Sequence, residues 1–132
     1  MPPRLFTLAE ATAELPRVRG LVERLVEQRA EQLAIRARIG GLAARVGGNG
    51  GGISPGAPAE LARQAAAADE ALRDTLTAIG ALGVIVKDAD AGLVDFPSLR
   101  DGVPVFLCWQ LGEDEIAYWH GLEEGFAGRK PV

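Results

Sequence analysis

The chain has 132 residues, is 48% hydrophobic and 24% charged, and carries a formal net charge of −4 at neutral pH. One cysteine excludes an internal disulfide framework, and a chain this long can bury a core without one, so a reducing, cytoplasmic setting is expected. Charges interrupt every window long enough to span a bilayer, the first residues lack the apolar core of a signal peptide, and no membrane association is expected. The charge is also uneven: residues 1–80 hold ten arginines against nine acids, whereas residues 81–132 hold four basic against nine acidic residues and six of the seven aromatics. No basic stripe is present to displace counterions from phosphates, so nucleic acid is not an expected partner.

Thr7 and Glu10 have the spacing of a capping box and start a helix predicted over 7–46. Pro16 predicts a kink or short break near Leu15. Val18, Leu21, Leu25, Gln28, Gln32, Ile35, Ile39, Leu42 and Val46 alternate steps of three and four, which is a seam of period 3.5 for a partner helix. Gln28 and Gln32 within it are either a buried polar layer or amides left wet by drift of the stripe. The glycine-rich stretch 47–57 reads as a hairpin loop. It lacks the lysine, spacing and preceding strand of a phosphate loop. A second helix is predicted over 58–81 from Pro58 at its first turn and the stripe Leu61, Ala65, Ala68, Leu72, Leu76 and Ile79. Two such helices form an antiparallel hairpin, and its apolar surface suggests a homodimer through the helices.

From Val84 the period changes to that of strands. Residues 84–87, 93–96 and 103–110 are β-branched or aromatic runs, separated by the aspartate-rich turn at 88–92 and by Asp101-Gly102, a hairpin signal. Residues 116–120 read as a fourth strand in preference to a short helix, which completes a β-meander over 84–120. Residues 121–132 read as an irregular tail. The fold class is α+β, a single domain over 1–132: a long antiparallel helical hairpin followed by a small antiparallel β-meander.

The strings GLVDFP at 92–97, LCWQLGE at 107–113, IAYWH at 116–120 and GFAGRKP at 125–131, with FTLAEA at 6–11, resemble a family of small bacterial and archaeal proteins known as an uncharacterised domain of unknown function. The resemblance implies a helical hairpin followed by this C-terminal block. It implies no activity, substrate or catalytic residue.

The chemistry-bearing residues concentrate in that block. His120, the lone histidine, is either a structural residue bonded to a backbone carbonyl, an acid/base, or a metal ligand with Glu124, Asp95 or Glu113. If the chain turned helically after His120, Glu123 and Glu124 would share its face. Asp95 lies in an apolar run and needs a partner, for which Arg100 or Arg129 offers a two-toothed salt bridge. Cys108 reads as a small core residue, or as a nucleophile if His120 approaches it. Its side chain and that of Gln110 should face opposite to Leu107 and Trp109. Trp109, Tyr118, Trp119 and Phe126 are core aromatics or the walls of a ligand pocket, with Arg129 as an added ligand-binding candidate. No motif specifies a cofactor. The reading is a dimeric protein that binds a small ligand or partner in its acidic, aromatic block. The alternative is a small enzyme or metal-binding protein using His120 with Asp95, Glu113 and Tyr118.

Overall fold

The computed structural model describes residues 4–47 and 55–132. Most of the expected glycine loop, residues 48–54, lies outside them. Two helices, α1 (Leu8–Gly47) and α2 (Ala57–Ala81), precede strands β1 (Ile85–Asp88), β2 (Leu93–Arg100), β3 (Val103–Gln110), β4 (Tyr118–Gly121) and β5 (Lys130–Pro131). The strands form one antiparallel sheet in chain order, the α+β fold anticipated from the period change.

The capping box closes as its spacing requires: the Thr7 N–H donates to Glu10 Oε1 at 3.0 Å and the Glu10 N–H to Thr7 Oγ at 3.1 Å. Those bonds hold the Glu10 carboxyl below the usual carboxylate range. The helix then runs through Pro16 without the expected break. Pro16 and Thr12 both face solvent, so water can take the carbonyl that the proline ring leaves unbonded. The seam of α1 meets α2 of the same chain. Gln32 is buried and forms the polar layer: its amide donates to Asp69 Oδ1 at 2.6 Å and accepts from Arg29. The wet-amide reading therefore fails for Gln32, because α2 brings an acceptor to it.

The core lies between the hairpin and one sheet face. Ala11, Leu15, Val18, Val22 and Leu25 of α1, with Leu72 and Ile79 of α2, pack on Val94, Phe96, Leu107 and Trp109. Phe6 adds an edge-to-face contact with Phe96 at 5.2 Å. α1 comes so close to the β1–β2 turn that only glycine fits there: Gly92 has φ +70°, and a Cβ on it would lie 2.8 Å from Leu111 and 3.0 Å from Val22. Asp101 and Gly102 both have positive φ, the two-residue turn that sets the β2–β3 register. The tail, expected to be irregular, carries a 3-10 turn (Phe126–Gly128) and β5, which pairs with β4. Its strand is two residues long, too short to show a period.

Candidate functional site

Strand alternation assembles the site. β2 turns Val94 and Phe96 to the helices and Asp95 to the opposite face. β3 sets Cys108 opposite Asp95, and β4 sets Tyr118 opposite Cys108 and His120 opposite Phe106. Three strands thus bring an Asp95 oxygen, the Cys108 Sγ and a His120 nitrogen within 4.8 Å of one another. All three residues are buried.

The hydrogen bonds fix the imidazole. Nδ1 lies 2.8 Å from the Gly121 carbonyl oxygen, which can only accept, so Nδ1 carries a hydrogen. Nε2 lies 3.0 Å from Asp95 Oδ1. Asp95 Oδ2 is buried without a hydrogen-bond partner. Lys87 Nζ stands 3.9 Å from it and 4.7 Å from the Phe106 ring centre. Burial pushes the Cys108 thiol up to about 12, and the Asp95 carboxylate pushes the same way. The thiol is protonated at neutral pH, which removes the thiolate that nucleophilic catalysis would need.

A cavity of about 270 Å³ opens beside the pair, with Lys87, Leu93, Leu122, Glu123, Glu124 and Phe126 among its walls. The helical turn considered after His120 is a tight turn instead, closed by the Glu124 N–H donating to the Gly121 carbonyl at 3.1 Å. It brings both glutamates to the cavity. Lys130 donates to Glu124 at 2.8 and 3.1 Å, and this contact, with the Gly121 N–H, holds the Glu124 carboxyl below the usual range.

The other sequence candidates lie elsewhere. Neither arginine expected to pair with Asp95 does so. Arg100 lies 4.6 Å over the Trp119 ring, and Arg129 donates to Glu113 at 2.6 Å and to the Cys108 carbonyl at 3.3 Å. Asp95 takes His120 instead because β3 holds β2 and β4 at one fixed register. Arg129 also stacks on Tyr118 and Phe126, at 4.2 and 4.6 Å, and so clasps the tail to the sheet. Glu113 is tied into that clasp and not to His120. Trp109 is fully buried on the helix face, its Nε1–H donating to the Glu113 carbonyl at 3.1 Å, and Trp119 shares that face through its register with Leu107. Lys87 is the site residue that sequence reasoning missed. Its signal is a lone cation in a β-branched run.

Fold and site define a two-layer α+β protein whose sheet carries apolar core on one face and a buried Asp–His–Cys cluster on the other. The chain belongs to the family described as "Uncharacterized conserved protein (DUF2203)", whose model matches residues 4–132. No match is found to a curated protein or to a solved structure.

Proposed function

We propose that this protein binds a divalent transition metal ion of the zinc type through Asp95, Cys108 and His120. The observation that carries the reading is the orientation of His120. Its Nδ1–H donates to a backbone carbonyl, the outer partner that a metal-binding histidine characteristically has, and Nε2 is left facing a carboxylate and a thiol. Nitrogen, oxygen and sulfur donors together suit a borderline ion. The unpartnered Asp95 Oδ2 favours a cation, as does the Asp95 charge that adds to burial in raising the Cys108 thiol, and the ion's arrival would displace the thiol proton. Asp95 and His120 line a cavity, which leaves room for an exchangeable fourth ligand beside the three from the protein, the arrangement of a reactive site and not of a closed structural one.

Elemental analysis of protein purified without a histidine tag should find one zinc per chain. Cobalt titration should give a thiolate-to-cobalt absorption band that is lost in Cys108→Ser. His120→Gln and Asp95→Asn should each weaken binding by about 100-fold, the upper end of what loss of even an outer partner costs. Lys87→Ala should tighten it, because the lysine competes for Asp95. Absence of stoichiometric metal, together with absence of the cobalt band, overturns the reading.

A further inference from the structure

The helices cover only part of the apolar sheet face. Near the β2–β3 turn a depression of about 310 Å³ remains, between the residues that lead into α1, the β2–β3 ladder and Val132. Its floor is core material: Phe6 is 2% exposed, and Val105 and Leu107 are each 5% exposed. Its rim is apolar and wet, since Leu5, Leu8, Leu99 and Val132 are 42–51% exposed. A concavity with apolar walls at this volume falls at the lower end of small-molecule sites.

Its polar side chains are few, Thr7, Ser98 and Arg100. Arg100 is the charged side chain among those lining it, and no acidic side chain lines it. The Arg100 guanidinium lies 4.6 Å over the Trp119 ring, itself a wall of the depression, and forms no salt bridge among the described residues. Thr7 accepts from the Glu10 N–H, which leaves its hydroxyl hydrogen free to donate. Ser98 contributes no donor, because its hydroxyl donates to the Phe6 carbonyl at 2.5 Å. A neutral apolar molecule would leave both donors idle, and an amine would meet a like charge. A carboxylate would accept the planar fork of Arg100 while its apolar body filled the depression.

We infer that this depression is a binding site for a small carboxylic acid with an apolar body, of the size of a medium-chain fatty acid. At the packing density of protein interiors the volume holds roughly ten non-hydrogen atoms, too few for a helix or strand of a partner protein. The site lies on the sheet face opposite Asp95, Cys108 and His120, so it is independent of the metal reading.

Calorimetry on the full chain with octanoate, 1-octanol and octylamine tests it. Octanoate should bind saturably at one per chain and at least about tenfold more tightly than the other two. Arg100→Gln, a change at the surface, should remove that preference, and Leu8→Trp should fill the depression and abolish binding while the melting temperature holds. His120→Gln should leave octanoate binding unchanged. The inference is overturned if octanoate does not saturate, or if octanoate and octanol bind equally to the unmodified protein. It is also overturned if light scattering finds a dimer that Leu99→Glu dissociates, for the rim is then a contact between two copies.

Discussion

The two faces of the sheet are one residue apart along every strand and differ in almost everything else. Val94, Phe96, Leu107 and Trp109 meet two long helices, whereas Asp95, Cys108 and His120 meet a tail with one 3-10 turn and a two-residue strand. Helices shield their face by apolar area, a nondirectional force that asks only for volume and fit. The tail has little area to offer. Its face is closed by directional contacts, His120 on Asp95 and Gly121, Glu124 on Lys130 and Arg129 on Glu113, with Asp95 Oδ2 left over. A face closed by directional contacts can hold reactive groups, because rearranging a few bonds opens it and the core is untouched.

The largest loss of stability is expected on the helix face. Trp109→Ala should cost about 3–5 kcal/mol in urea unfolding, since it leaves a large cavity under both helices. On the tail face the expected quantity is a coupling and not a volume. A double-mutant cycle between Asp95→Asn and His120→Gln should return about 1–3 kcal/mol of interaction, and a value near zero would mean that the pair stands independently. Alkaline pH sharpens the contrast further. In metal-free protein the folded Cys108 thiol keeps its proton from its ordinary value of 9.0 up to about 12, while the unfolded chain releases it, so stability should fall as pH rises above 9.0. One proton gives a slope of at most about 1.4 kcal/mol per pH unit, and Cys108→Ala should flatten the urea midpoint against pH by that component. The smallest effect lies at the entry to α1. Thr7→Ala should cost about 1 kcal/mol and leave tail-face chemistry unchanged.

Much of this was legible in the sequence where one local rule decided the outcome. The capping box, the seam of α1, the Asp101-Gly102 turn and the alternation that separates Cys108 from Trp109 each need only a few neighbouring residues. The partner of Asp95 was not legible, because it depends on two registers at once, β2 on β3 and β3 on β4. A nearby arginine was the better local guess, yet Arg129 comes from beyond β4 and is drawn to Glu113 and to the Tyr118 and Phe126 rings. Pro16 shows the opposite failure. The local rule was sound, but a solvent-facing position blunts its cost.

The length of α1 has a consequence for how the molecule moves in water. Forty residues at the helical rise make a rod of about 60 Å, whereas the eight-residue strands span about 27 Å. Past Arg29, which bonds Asp90, the polar partners of α1 among the described residues come from α2 and from α1 itself, so the hairpin reaches beyond the sheet as an arm. Such a particle meets more friction than a sphere of equal mass, tumbles anisotropically, and leaves a gel-filtration column early. A single chain will therefore present the elution volume of a larger protein, and its mass is read correctly from scattered light.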